Sequence, residues 1–278
     1  MGHNSPDAIH TTVEAMKLAL ADRDRYYADP LFVDVPLEGL LAPSYAKSRR
    51  ALIDPAHASL AIRPGDPRHG LATIGAPGNP SGTGGASNDT TTCLVADSAG
   101  NVVAATPSGW SGVVAGETGV WLGSRLQSFN TWPDHPNVIE PGKRPRITLT
   151  PTLILDKDRR PTVAISVAGG DNQDQMTLQL ILNQIDFGLT PAESVTSPRY
   201  LTDHLIGSFA QTPPKLGRVR INPGVGPSTL AELTRRGHDL LPLPGPIAAA
   251  STLLTIDPTT HQIQAAGDPK AGRHAAAY

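Results

Sequence analysis

Apolar positions near the start of the chain recur with a helical period. Ile9, Val13, Met16 and Leu20 follow one another at steps of 4, 3 and 4, which lines them up as one stripe along a helix. Ser5-Pro6 just before them has the form of an N-cap followed by proline at the first helical position, and the stripe carries the helix to about Tyr26. A second helix is predicted over about Ser44 to Ile53. The pattern then dissolves. From Pro64 to Asp89 the chain places Gly65, Gly70, Gly75, Gly78, Gly82, Gly84 and Gly85 among Pro, Ser, Thr and Asn, which predicts a long flexible segment without a packed element.

From Thr90 onward the period drops from helical to alternating. Thr91 to Asp97 and Asn101 to Thr106, joined by Ser98-Ala99-Gly100, read as a hairpin. Thr152 to Leu155 with Thr162 to Val167, and Ser251 to Ile256 with Gln262 to Ala266, read as two more. Between them a helix is expected from about Asn172 to Phe187, stopped by Gly188. A short one opens at Thr190-Pro191-Ala192-Glu193, which has capping-box spacing. Another runs from about Ser228 to Arg236 and stops at Gly237. Grouped hairpins with clustered helices predict an α+β layered sandwich rather than a doubly wound parallel sheet.

Composition narrows the function classes. The 278 residues hold 23 basic and 25 acidic side chains, a near-neutral balance that gives no reason to expect a nucleic-acid or membrane partner. Aromatics make up only 4%, so the core must be aliphatic. The single cysteine, Cys93, excludes a disulfide framework and a cysteine-based zinc site; it reads as a core strand residue. No run approaches the roughly 18 apolar residues of a spanning helix. The start, MGHNSPDAIH, lacks the apolar stretch of a secretory signal, so the chain as encoded is expected in the cytoplasm. The glycines at 82–85 are not followed by Gly-Lys-Ser/Thr, no His-Glu-x-x-His occurs, and there is no Gly-x-Ser-x-Gly elbow. Gly142-Lys143-Arg144-Pro145 reads as a turn with solvated charges.

What remains is Asp89-Thr90-Thr91-Thr92-Cys93, at the point where the glycine-rich segment meets the first strand. A threonine run there is an ordinary β-former. It also suits an N-terminal threonine nucleophile released by self-cleavage. A hydroxyl needs a base beside it, and a free α-amine with a reference pKa of about 7.7–8.0 supplies one on the same residue. Val167-Ala168-Gly169-Gly170 ends a strand just before a helix. It is either a plain strand-to-helix turn or a corner whose N–H groups hold an oxyanion.

Laid side by side, these blocks resemble the γ-glutamyltranspeptidase family of N-terminal-nucleophile hydrolases. His10, Val13 to Ala19 and Ala21-Asp22-Arg23 resemble a helix of that family's large subunit. Thr90-Thr91 with Asp97 and Gly100-Asn101 resembles the start of its small subunit. Val114 to Gly119, Pro141 to Pro145, Gly169-Gly170, Asn183 to Gly188, Pro198-Arg199 and Gly267-Asp268-Pro269-Lys270 follow in family order. The resemblance implies a four-layer αββα sandwich. Residues 1–89 would be the tail of a large-subunit-like region and 90–278 a small-subunit-like catalytic region. It implies cleavage between Asp89 and Thr90, Thr90 as nucleophile, Ser108 as its supporting hydroxyl, and Gly169 and Gly170 as oxyanion donors. Thr148 falls where hydroxyls contact the substrate carboxylate. No metal or cofactor is implied.

The departures from the family pattern set the alternatives. Ser128 stands near the position of an aspartate that grips the α-ammonium of a γ-glutamyl group, and Arg125 near that of a neutral amide. Ser128 cannot make that charge-assisted bond. Arg125 is either a substrate contact or a solvated surface residue. Thr92 replaces a histidine, and the loop from Thr106 to Gly112 is short and lacks an asparagine. The expected function is hydrolysis or transfer of γ-glutamyl amides such as glutathione. The alternatives are a glutaryl-type amidohydrolase resembling the cephalosporin acylases, and a non-catalytic fragment or partner subunit. The family's large subunit extends upstream of the block that begins here, so the sandwich is expected to be incomplete. The chain is then a fragment, one half of a split enzyme or a relic, poorly stable or oligomeric alone. Expected partners are a small acyl-amide substrate, the two cleavage products for each other, and a separately encoded N-terminal half.

Overall fold

The structure, a computed structural model, describes residues 1–75, 90–243 and 249–277. The chain divides into two compact units interleaved along the sequence. One holds Met1–Gly85, Arg125–Ile147 and Tyr200–Pro242; the other holds Ala86–Ser124, Thr148–Arg199 and Leu243–Tyr278.

The first unit is built on helix α1, Pro6–Tyr26, where the Ser5 side chain accepts from the Ala8 N–H and Pro6 stands at the first turn. Ile9, Val13, Met16 and Leu20 are buried as the stripe requires. So are His10, Glu14, Lys17, Asp22, Arg23 and Asp24, so the helix is enclosed on more than one face. Two short helices follow, α2 (Leu37–Leu41), which the periodicity did not show, and α3 (Pro43–Arg50). The expected second helix ends three residues early, before Asp54-Pro55, where proline disfavours helix in the residue ahead of it. The unit also carries a three-stranded sheet that sequence patterning missed: β5 (Tyr200–Thr202), β6 (Arg218–Ile221) and β7 (Asp239–Pro242) in the order β5-β6-β7. Strands β6 and β7 are parallel, bridged by helix α6, Pro227–Arg235.

The segment from Pro64 to Gly75 is a correction to the flexible reading. Gly65 is buried, its N–H donates to Asp22 at 2.8 Å and its carbonyl accepts from the Tyr26 hydroxyl at 2.7 Å. A Cβ there would stand 2.3 Å from the Tyr45 hydroxyl, so this glycine serves close packing rather than freedom. Residues 66 and 71 form an isolated antiparallel bridge. The rest of the glycine-rich stretch, with Asp89, lies outside the described residues.

The second unit contains the three expected hairpins: β1 (Cys93–Ala96) with β2 (Val102–Ala105), β3 (Thr152–Leu155) with β4 (Pro161–Ala168), and β8 (Ala250–Ile256) with β9 (Ile263–Gly267). The last two join into one antiparallel sheet in the order β3-β4-β8-β9. Residues 164–168 of β4 are buried without alternation, because both faces are covered. The β1–β2 hairpin lies against β4 and β8 on one side, and helices α4 (Asn172–Ile185) and α5 (Pro191–Thr196) pack on the sheet. The Phe187 N–H bonds back to Leu182 and Gly188 takes φ +63°, a glycine-dependent helix stop. Cys93 is exposed on β1, not in the core. Only one face of the two-stranded hairpin is covered, so alternation turns Cys93 and Val95 outward and Leu94 inward.

Candidate functional site

The site candidates within the second unit cluster around the ends of β2 and β4. Thr90 precedes β1, and the Thr91 N–H donates to the Pro107 carbonyl at 3.0 Å. This extends the β1–β2 pairing past its last ladder bond and lays residue 90 beside residue 108. Thr90 Oγ1 and Ser108 Oγ stand 2.6 Å apart, a short hydroxyl–hydroxyl bond. The two positions named from sequence as nucleophile and supporting hydroxyl are therefore in direct contact.

Behind them lies a pair that sequence reading missed. Thr106 Oγ1 and Ser166 Oγ are 2.8 Å apart and buried, and Ser166 Oγ donates to the Ala105 carbonyl at 2.9 Å. The available signal was a lone serine in a continuous apolar run: in a buried strand such a hydroxyl must find a partner.

At the end of β4 the chain turns through Gly169 (φ +146°) and Gly170 (φ +56°), backbone values that only glycine takes readily. Their carbonyls accept from the Asn172 and Gln173 N–H groups, 3.0 Å each, and so open α4. The fully buried Gln173 was not singled out from sequence. Its amide nitrogen donates to the carbonyls of Thr148 (3.0 Å) and Val167 (2.8 Å), which holds Thr148 beside the strand leading into the glycine corner. The Thr148 hydroxyl is buried and makes no hydrogen bond among the described residues. A hydroxyl left in that state costs free energy unless something else bonds it.

Arg125 and Ser128 belong to the first unit, in a single 3-10 turn, Arg125–Ser128. The Arg125 guanidinium sits 5.1 Å from the centre of the Phe209 ring, a cation–π contact rather than a solvated charge. Ser128 is buried, its hydroxyl finds no partner among the described residues, and its carbonyl accepts from Asn137 at 2.8 Å. Asn137 also bonds Asn130 and receives the Arg146 N–H, so this turn is fixed by a buried amide that the sequence did not advertise.

Other blocks of the resemblance serve structure. Arg199 reaches Asp268, the carbonyl of Ala249 at 2.9 Å and that of Val195 at 2.6 Å, all buried. The Pro198-Arg199 and Asp268-Pro269 motifs are thus two ends of one ion pair. In the 141–145 turn, Arg144 grips Asp29 through three bonds of 3.0–3.1 Å, which holds that carboxyl far below the usual carboxylate range. Lys143 is buried and bonds Glu140 at 2.7 Å. Lys143 is thus buried rather than solvated, whereas Arg144 stays exposed while paired. On α1, Glu14 bonds Lys17 (2.6 Å) and Arg63 (3.2 Å), and Asp22 bonds Tyr45 (2.9 Å) and Arg49 (3.2 Å). Burial pushes the Lys17 amine down and the Asp22 carboxyl up.

Comparison with known proteins gives this arrangement its context. Residues 1–278 match the family described as Gamma-glutamyltranspeptidase. The chain is 34% identical over 253 residues to the glutathione hydrolase proenzyme of Escherichia coli K12, covering 85% of this chain and 39% of that protein. It is 36% identical over 207 residues to an acylase ACY 1 proenzyme of Pseudomonas sp. SE83, covering 73% of this chain and 34% of the other. The chain belongs to the γ-glutamyltranspeptidase family. Among solved structures, the cephalosporin acylase of Bacillus halodurans superposes with a TM-score of 0.78 at 29% identity, over 97% of this chain and 45% of that one. The fold is therefore the α+β fold of the N-terminal-nucleophile hydrolases, present here in part. This chain spans about two fifths of the length of the curated relatives it matches.

Proposed function

We propose that this γ-glutamyltranspeptidase-family chain carries the catalytic region of an amidohydrolase or acyltransferase that acts through Thr90. The observation that carries the reading is the 2.6 Å contact between the Thr90 and Ser108 hydroxyls. In the maturation step the Thr90 hydroxyl attacks the Asp89 carbonyl. The amide C–N bond breaks as the ester forms, and the hydroxyl proton passes to the departing amine. Water then cleaves the ester to leave an Asp89 carboxylate and a free Thr90 amine. Residues 1–89 become the large-subunit-like product and 90–278 the small-subunit-like one, and the two remain associated.

In turnover the Thr90 α-amine takes the hydroxyl proton while Oγ1 attacks the substrate acyl carbonyl. The N–H groups of Gly169 and Gly170 stabilise the oxyanion, and the proton goes to the leaving amine. Water or a second amine releases the acyl group from Thr90. The Thr148 hydroxyl, which has no partner among the described residues, supplies a bond to a substrate carboxylate. The primary reading of the donor is a γ-glutamyl amide such as glutathione.

A second reading rests on a specific observation. Ser128 is buried in a neutral amide network and offers no carboxylate for an α-ammonium, which favours an acyl group without that amine, of glutaryl type. The family resemblance assigns Arg125, in the same turn, as the cation such a donor would need. A non-catalytic fragment or partner subunit, completed by a separately encoded N-terminal half, is the reading left if no cleavage occurs.

Intact mass of the purified chain and of Thr90→Ala tests all three. Cleavage between residues 89 and 90 in the parent alone supports the threonine mechanism; an uncut parent rejects it for this chain. Hydrolysis of γ-glutamyl-p-nitroanilide against a glutaryl anilide then separates the two donors.

A further inference from the structure

The hydroxyls of Thr106 and Ser166 have their proton directions set by their partners. The Ala105 carbonyl can only accept, so the Ser166 proton is spent on it. Ser166 Oγ must then accept from Thr106 Oγ1 at 2.8 Å. The Ser166 carbonyl in turn receives the Thr252 hydroxyl at 3.0 Å, and β4 pairs with β8 through Ser166 and Thr252. Thr106, the residue just after β2, is therefore fastened side chain to side chain onto β4.

Both ends of that fastening lead to the site. On the β2 side the chain runs two residues from Thr106 to Ser108, whose hydroxyl touches Thr90. On the β4 side it runs three residues from Ser166 to Gly169, where the glycine corner begins. Ordinary ladder bonds do not join these two segments, since β1–β2 and β3-β4-β8-β9 are separate sheets. The Thr106–Ser166 bond, with the Ser166 bond to the Ala105 carbonyl, links them instead. Both members are nearly inaccessible, 6% and 0%, so water does not substitute for a lost partner.

We infer that Thr106 and Ser166 are positioning residues that set the placement of the Ser108–Thr90 hydroxyl pair relative to the Gly169–Gly170 corner. The inference deepens the threonine reading and rests on it for its catalytic consequence. Neither side chain touches the reacting atoms; they act through Ser108. Errors of about 1 Å in such placement cost about 100-fold in rate.

The test uses the full chain with Thr106→Val, Thr106→Ser, Ser166→Ala and, as a control on the same strand, Thr162→Val, whose hydroxyl bonds the Ile154 carbonyl instead. Two readouts are taken on variants that keep a cooperative unfolding transition: the rate of cleavage before Thr90 by intact mass, and the Thr90 methyl resonance in threonine-methyl-labelled protein, assigned by its loss in Thr90→Ala. Thr106→Val and Ser166→Ala should shift that resonance and slow cleavage at least about tenfold. Thr106→Ser should restore both, and Thr162→Val should change neither. An unmoved resonance in folded Thr106→Val and Ser166→Ala overturns the inference. If the parent chain is not cleaved but the resonance moves as expected, the threonine reading fails and the positioning role stands. Equal slowing by Thr162→Val would reduce the pair to ordinary structural bonds and also overturn it.

Discussion

At the scale of single residues, the most informative side chains are polar ones that the fold has buried. His10 illustrates the logic. Its Nε2 lies 2.8 Å from the Asp54 carbonyl, which can only accept, so that nitrogen carries the proton. Its Nδ1, 2.9 Å from His238 Nε2, must then accept from it. The remaining His238 nitrogen is buried without a partner among the described residues. Burial, with Lys17, His10 and Arg236 nearby, drives the His238 pKa down to about 3, and burial drives His204 to about 4. Both rings are neutral in the folded chain and titrate at about 6.5 when unfolded. The unfolded state therefore binds more protons below that pH. Stability is full above about pH 6.5 and falls as the pH drops toward 4, by up to about 1.4 kcal/mol per pH unit for each ring. Urea midpoints measured at pH 7 and pH 5 should show the loss, and His238→Gln should shrink it; a midpoint independent of pH in the parent would refute the assignment. None of this was legible in the apolar stripe of α1, because periodicity marks which face is apolar and not which polar residues find partners.

At the scale of elements, local chemistry and tertiary pairing can be separated. The Thr190–Glu193 box forms both of its reciprocal bonds, as its spacing alone predicts. Thr190→Ala should cost about 1 kcal/mol in chemical denaturation, and a loss near zero would show that α5 is held by packing alone. The Arg199–Asp268 pair is different in kind. Asp268→Asn leaves a buried guanidinium without its counter-charge and should cost about 3–5 kcal/mol; denaturation that matches the parent would refute this. The three hairpins were legible because each has a tight turn between alternating runs. Strands β5 to β7 were not. They are three or four residues long, and their pairing depends on segments brought together by α1 and α6. The Arg-Val-Arg-Ile alternation of β6 was the one local sign of them.

At the scale of the whole molecule, the chain holds about two fifths of the length of its curated relatives and leaves apolar side chains uncovered. Val95 and Val103 face each other in register on β1–β2 and are 54% and 55% exposed. Leu153 and Leu155 are exposed on β3, an edge strand. Uncovered strands of this kind recruit other strands. The purified 278-residue chain should therefore elute with an apparent mass that rises with concentration, and Val95→Lys combined with Val103→Lys should reduce that rise. A concentration-independent monomer would count against it.

The sequence by itself determined the helices with a clear period, the three hairpins, the α+β class, and the residues at which family chemistry would sit. Those features depend on near neighbours along the chain: an N-cap, a proline, a two-fold alternation, a glycine corner. Tertiary structure alone decided which of the candidate residues meet. It placed the Thr90 hydroxyl against Ser108, joined Thr106 to Ser166 and Arg199 to Asp268, anchored Gly65 on Asp22, and turned Cys93 outward. Contacts between residues separated by 18 to 69 positions depend on how sheets and helices cover one another. A one-residue shift in strand register would reverse each inward and outward assignment, which is why no local pattern could have named the partners.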